Sequence, residues 1–236
     1  MSVNEKMTAI ADAIRGKTGI AGKLTLDDMA AEIDAVHESG KKTEYDAFWD
    51  TYQENGTRTD YSYAFAGVGW TSETYKPKYP MQPTASQMMY IYSNVAGHID
   101  IDTSLSTNFQ QMFQSSKITS LGVIDTRNAS AFARTFQSGT LKSIEKLILK
   151  DDGSQTFSNT FYGSNSLTDI VIEGTIGQNI DFGKSAKLTH DSLMSIINAL
   201  QAKTSGSWSV TLGTTNLAKL TDAEKAIATQ KGWTLV

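Results

Sequence analysis

Cysteine is absent from the 236 residues, which excludes a disulfide framework, a thiolate zinc site, an iron–sulfur cluster and a cysteine nucleophile together. Proline is nearly absent, its three copies all falling at 77, 80 and 83, and the three histidines, His37, His98 and His190, show no zincin spacing. Charged residues make up only 19% of the chain and lean acidic, 21 Lys plus Arg against 25 Asp plus Glu for a net charge of −4. That balance excludes a nucleic-acid binder that works through a basic surface. No run approaches the ~18 apolar residues that a membrane-spanning helix needs, and the opening Met1-Ser-Val-Asn-Glu-Lys-Met7 carries no apolar signal core. The expectation is neither Sec export nor a membrane anchor. What the chain does have is hydroxyl groups, 24 Ser and 28 Thr, and 39% hydrophobic residues, enough to bury a core.

The first forty residues read as a helical hairpin for attachment or assembly. Met7, Ile10, Ala11 and Ile14 recur at helical spacing before Arg15-Gly-Lys-Thr-Gly19 supplies stop signals. Thr25 is placed to cap a second helix with apolar positions Leu26, Met29, Ala30, Ile33 and Val36. Each helix is marginal alone, so Met7, Ile10, Ile14, Met29, Ile33 and Val36 are expected to pack on one another or on a partner. A DNA-reading helix-turn-helix is disfavoured by seven acidic residues against four basic ones over residues 1–39, and Gly16-Lys-Thr18 lacks the first glycine of a phosphate loop. From about Thr43 to Asn55 an aromatic-rich helix with Tyr45, Phe48, Trp49 and Tyr52 reads as a hydrophobic cap.

A repeat follows. Tyr61-Ser-Tyr-Ala-Phe65, Ala85-Ser-Gln-Met-Met89, Phe109-Gln-Gln-Met-Phe113, Phe132-Ala-Arg-Thr-Phe136 and Phe157-Ser-Asn-Thr-Phe161 end at intervals of 24, 24, 23 and 25 residues. Periods in this range mark solenoids, in which one aromatic per coil builds a continuous buried column. Ile144-Glu-Lys-Leu-Ile-Leu149 and Leu167-Thr-Asp-Ile-Val-Ile172 read as one short strand per coil. The period breaks after about residue 187. Thr189 caps a helix, Trp208-Ser-Val-Thr-Leu212 reads as a strand, and Thr221-Asp-Ala-Glu224 is a capping box that opens a last helix before Trp233-Thr-Leu235. The expected fold is α+β: residues 1–40 a helical hairpin, 41–187 a capping helix with about five repeats, 188–236 an α-β-α-β terminal cap.

Phe-x-x-x-Phe followed by Leu-x-x-Ile, as in Phe132 to Ile144 and Phe157 to Ile170, resembles the BspA-like leucine-rich repeat of bacterial surface proteins. Taken with Asn4 to Arg15, Tyr45 to Asp50, Phe65 to Trp70 and the closing Lys-Gly-Trp-Thr-Leu, the chain is similar to tail- or baseplate-associated structural proteins of phages and prophages from Gram-positive gut bacteria. The resemblance implies a non-enzymatic virion protein, assembled in the host cytoplasm and released by lysis. Its N-terminal helices would meet other virion proteins, and its repeat surface a host cell-wall glycan or surface protein. Appendages of this kind are commonly trimeric or hexameric, so a homo-oligomer follows from that context although no heptad run demands a coiled coil. The alternative is a host-encoded BspA-like adhesion module on the cell surface.

Candidate chemistry is thin, and no cofactor is called for. His98, Asp100 and Asp102 would share one face of a strand with Ile99 and Ile101 on the other, a row able to assist a hard cation but read first as a wet strand face. No Gly-x-Ser-x-Gly elbow occurs, and a polysaccharide-degrading carboxylate pair finds no motif to point to it. Eight of nine tyrosines lie between 45 and 92. Tyr and Trp combine contact area with a polar handle, so Tyr63, Trp70, Tyr75, Tyr79, Tyr90 and Tyr92 are the recognition candidates, against a capping role for the same residues.

Overall fold

The computed structural model describes residues 3–18, 25, 28, 29, 31, 59–67, 81–130 and 132–236. The chain divides into two compact units, Met1–Thr57 and Arg58–Val236. The expected aromatic helix at 43–55 and the expected boundary near residue 40 lie outside the described residues.

In the first unit, helix α1 (Val3–Thr18) runs through Gly16, where a stop was expected. A glycine in the last helical turn costs only about 1 kcal/mol, and Arg15 pairs with Asp12 one turn back. Thr25 caps as expected: its Oγ1 accepts from the Asp28 amide at 3.2 Å, while its own amide donates to the Asp28 carboxylate at 2.8 Å. The Thr25 hydroxyl, which donates to the same carboxylate at 2.6 Å, and then the Thr25 amide hold the Asp28 carboxyl below its ordinary value. Ala11, Ile14 and Met29 bury one another, with Met7 against them.

The second unit is α+β. Strands β1 (Ala96–Ile99), β2 (Lys117–Asp125), β3 (Ser143–Ile148) and β4 (Asp169–Glu173) form a parallel sheet in which each strand pairs with the next in sequence. Ile118, Leu121, Ile124, Ile144, Leu147, Ile170 and Ile172 all point into the core. On β2 these inward side chains fall every third residue, not every second, with Thr119 and Ser120 half buried and Val123 exposed between them.

Beside the sheet runs a column of rings. Phe65, Tyr90, Phe113, Phe136, Phe161 and Phe182 stack at successive centroid distances of 4.9, 5.5, 5.8, 5.2 and 4.4 Å. A second column joins Phe109, Phe132 and Phe157 at 5.7 and 5.6 Å. Burial of each ring contributes on the order of 1.5–3 kcal/mol. The expected alignment is corrected at one point: Tyr90, not Met89, occupies the column, and Met89 packs buried beside it. The register falls one residue later because Ser86 stands where the other segments carry their first aromatic. Its buried hydroxyl is satisfied by Ser106 Oγ at 2.6 Å and the Asn108 carbonyl at 2.9 Å.

Tight turns make this stacking feasible. Tyr63, Met88, Gln111, Arg134 and Asn159 have φ between 53° and 60°, and four residues after each, Gly67, Tyr92, Ser115, Ser138 and Gly163 have φ between 53° and 71°. Four of the first set donate their amides to the following segment: Tyr63 to the Gln87 carbonyl, Met88 to Gln110, Gln111 to Ala133 and Arg134 to Ser158, at 2.9–3.0 Å. Left-handed backbone costs a non-glycine residue about 1–2 kcal/mol, offset here by hydrogen bonds in register.

Beyond β4 the pattern changes. Helix α2 (His190–Ala199), capped by Thr189 as expected, lies along β4. A second parallel sheet of β5 (Ile180–Asp181), β6 (Trp208–Thr211) and β7 (Trp233–Leu235) follows, with the short helix α3 (Thr214–Leu217) and helix α4 (Asp222–Gln230). The α4 capping box forms as expected between Thr221 and Glu224, and it holds the Glu224 carboxyl below its ordinary value. Lys231 donates to the Asn198 carbonyl at 2.6 Å and the Ile197 carbonyl at 3.2 Å, placing a cation at the C-terminus of α2. Burial lowers its pKa. The expected terminal segment 188–236 sits in the same compact unit as the four-stranded sheet.

Candidate functional site

Tyr63 and Tyr92 stand at the turn tips with 54% and 61% of their surface exposed. Both occupy left-handed backbone, with φ of 60° and 54°, which a bulky aromatic seldom adopts and which Asn or Gly fits better. The ladder of backbone hydrogen bonds places Tyr63 in register with Met88, and Gly67 with Tyr92, so the two rings come from adjoining segments. Around them the exposed or half-exposed side chains are the amides and hydroxyls of Gln87, Gln110, Gln111, Gln114 and Ser115, together with the thioether of Met88. Gln87 accepts from the Asn108 amide at 3.0 Å, and Gln111 donates to Gln114 at 2.5 Å, so part of this amide rim is already ordered. Tyr162, half exposed, adds an aromatic that the sequence reading passed over because it lies far from the tyrosine-rich region.

The other recognition candidates fare differently. Tyr90 is fully buried in the ring column and is withdrawn from any surface, because the column needs a ring between Phe65 and Phe113. Trp70, Tyr75 and Tyr79 lie outside the described residues. Of the docking positions, Ile14 and Met29 are buried within their own unit and Met7 is half buried, so these side chains pack on one another; Ile10 stays 45% exposed. Ile33 and Val36 lie outside the described residues.

The solvent face of β1–β4 holds the second group of polar residues. Ile99 and Ile101 are buried while His98, Asp100 and Asp102 face water, as the alternation predicted. The three do not converge on a common point: Asp102 accepts from Gln82 Nε2 at 2.7 Å and from the Ser104 amide at 3.0 Å, whereas His98 Nε2 lies 3.1 Å from Asp100. The bonds with Ser104 come first in holding the Asp102 carboxyl below its ordinary value. Among the described residues no three His, Asp or Glu side chains gather closely enough to hold a metal ion. An irregularity of register between Gly97 and His98 also brings His98 Nδ1 within 3.0 Å of Ser120 Oγ. Ser120, His98 and Asp100 thus touch in the order of a nucleophile relay, which sequence spacing did not reveal. Their side chains stand in solvent, His98 51% and Asp100 77% exposed. A carboxylate in water has little hold on an imidazole, and acyl transfer draws on preorganised donors in a water-excluded site.

Two shallow depressions mark this face, of about 470 and 550 Å³, adjoining at Glu145. Asp125 borders the first and is held by the Arg127 guanidinium, which keeps its carboxyl below the ordinary range. No helix among the described residues is long and apolar enough to cross a membrane. Comparison with protein-family models, curated proteins and solved structures gives no match to this chain.

Proposed function

We propose that the chain is a non-enzymatic binding protein of the virion, associated with a phage tail or baseplate, in which a short solenoid resembling BspA-like leucine-rich repeats presents a recognition edge at its turns. The solenoid reading is supported by four parallel strands paired in sequence order and by the six-ring column. The recognition reading rests on one observation: two tyrosines, each more than half exposed, occupy backbone positions that disfavour them. The repeating turns account for the left-handed backbone at these positions; what they do not require is an exposed aromatic there, and a partner that covers the ring accounts for that choice. The partner is a host cell-wall glycan, a host surface protein or another virion protein, and the N-terminal unit attaches the chain to the particle.

Two measurements test this. Mass spectrometry of gradient-purified particles from a strain carrying the gene should find the protein at fixed copy number; its presence on intact, unlysed cells and absence from particles would assign it to the host-encoded adhesion module. Purified protein should then bind host walls or particles through its tyrosines, and Tyr63→Asn with Tyr92→Asn should weaken that binding about tenfold or more. Unchanged binding by the double variant would remove the edge from the account.

A further inference from the structure

The edge that carries Tyr63 and Tyr92 is almost free of charge. Segments 61–67, 86–92, 109–115, 132–138 and 157–163 hold 35 residues and a single charged one, Arg134, in a chain that is 19% charged. Burial does not explain this, because Tyr63, Tyr92, Gln110, Ser138, Ser158 and Asn159 all face water. Charged side chains belong almost entirely to the solvated surface of a protein. This stretch of surface presents amides, hydroxyls and phenol rings in their place.

Backbone hydrogen bonds between segments hold the edge in two parallel rows. Tyr63, Met88, Gln111, Arg134 and Asn159 make one row, and Gly67, Tyr92, Ser115, Ser138 and Gly163 the other. In the second row the amides of Tyr92, Ser115 and Ser138 donate to the Gln114, Gln137 and Tyr162 carbonyls at 3.0, 2.8 and 2.9 Å. Successive segments therefore stand one strand spacing apart, about 4.8 Å, which is close to the advance of one residue along an extended sugar chain. Tyr63 and Tyr92 come from neighbouring segments, so their rings are offset by one such step, and Gln110, Gln111 and Gln114 stand one step further on.

We propose that the ligand of this edge is an uncharged, extended polysaccharide laid across the segments, with Tyr63 and Tyr92 against the C–H faces of adjoining sugars and Gln110, Gln111 and Gln114 on the hydroxyls of the next. The proposal rests on the recognition role given to the tyrosines above and names what they recognise. A tyrosine ring offers an apolar face and keeps its hydroxyl for a polar partner. A glutamine amide both donates and accepts, as a sugar hydroxyl does. Gln111 already donates to Gln114 at 2.5 Å, so part of the amide row is ordered before the ligand arrives. An anionic wall polymer draws its strong contacts from cations and finds Arg134 alone. A protein partner is met through an apolar centre with a polar rim, and the exposed apolar groups here are single rings and one thioether.

The test uses the full chain and walls of the host strain, stripped of protein by protease and separated by anion exchange into neutral and anionic polysaccharide. The neutral fraction should bind, and should stop binding once periodate has opened its vicinal diols. Its affinity should change less than about twofold between low and high salt, since no ion pair is involved. Gln110→Leu with Gln111→Leu keeps the bulk, removes the amides and should weaken binding about tenfold or more. Circular dichroism establishes that the variant is folded; if the pair unfolds, Gln110→Leu alone, at an exposed position, carries the test with a loss of about threefold. Binding confined to the anionic fraction, or unchanged affinity in the amide variant, would overturn the proposal. If untreated walls bind through Tyr63 and Tyr92 while the protein-free polysaccharide does not, the ligand is a protein, and the glycan falls while the recognition edge stands. No binding to any wall material likewise removes the glycan and leaves the edge to partners on the particle. If the neutral fraction binds the Tyr63→Asn, Tyr92→Asn variant as tightly as the parent, the edge itself falls.

Discussion

Inside the four-stranded sheet, strands satisfy their amides on the next strand; past β4 the same amides find a helix instead. Ile170 donates to Ser192 Oγ at 2.9 Å and Ile172 to Ser195 Oγ at 2.8 Å, two hydroxyls at i and i+3 on α2 standing in for carbonyls of a fifth strand. An unpaired sheet edge templates association with another chain. The difference teaches how a stack of parallel strands is propagated and how it is stopped: rings and turns continue it, and serines on one helix face close it. The ring column outlasts the sheet, for Phe182 stacks on Phe161 after strand pairing has passed to Ser192 and Ser195.

That contrast can be broken most severely in its middle. Phe136 lies between Phe113 and Phe161, and Phe136→Ala should cost about 3–5 kcal/mol in urea-induced unfolding. Exchanging Ser192 and Ser195 together for Ala leaves the two β4 amides without acceptors, at on the order of 1–3 kcal/mol each. The same variant should form dimers through the bared edge, visible in sedimentation. A loss below about 0.5 kcal/mol with no association would mean that α2 does not close the sheet. A smaller effect comes from acid. Arg127 and Ser104 hold the carboxyls of Asp125 and Asp102 below their ordinary values. A carboxyl depressed in the folded state contributes stability fully above its unfolded value and loses it as pH falls through the folded one. Stability should therefore be flat from about pH 7 to pH 5 and decline below about pH 4, less steeply in Asp125→Asn; an identical acid limb in that variant would contradict the assignment.

Much of this architecture is legible in the chain. The caps at Thr25, Thr189 and Thr221 are local, each needing only a hydroxyl and the amides just after it, and all three form. The aromatic period located Phe65, Phe113, Phe136 and Phe161 in one column. It failed by one residue at Tyr90, where the marker aromatic had become Ser86 and two buriable residues, Met89 and Tyr90, stood side by side. The Ser192 and Ser195 contacts were invisible because they depend on which strand the helix meets. The polar cluster on the sheet was half legible: alternation gave the wet face of His98, Asp100 and Asp102, but Ser120 and Glu145 join it only through register across strands. The left-handed ladder escaped notice because Met, Gln, Arg and Tyr do not advertise positive φ as Gly and Asn do.

The central claim is that the ring column holds the fold while Tyr63 and Tyr92 are kept for a partner. Its most direct test is the unfolding free energy of Tyr63→Asn with Tyr92→Asn. Asn accepts left-handed backbone more readily than Tyr, so the double variant should be as stable as the parent or more stable, by up to about 1 kcal/mol. A loss of more than about 1 kcal/mol would show that the exposed rings are part of the packing, and the recognition edge would have to be sought elsewhere.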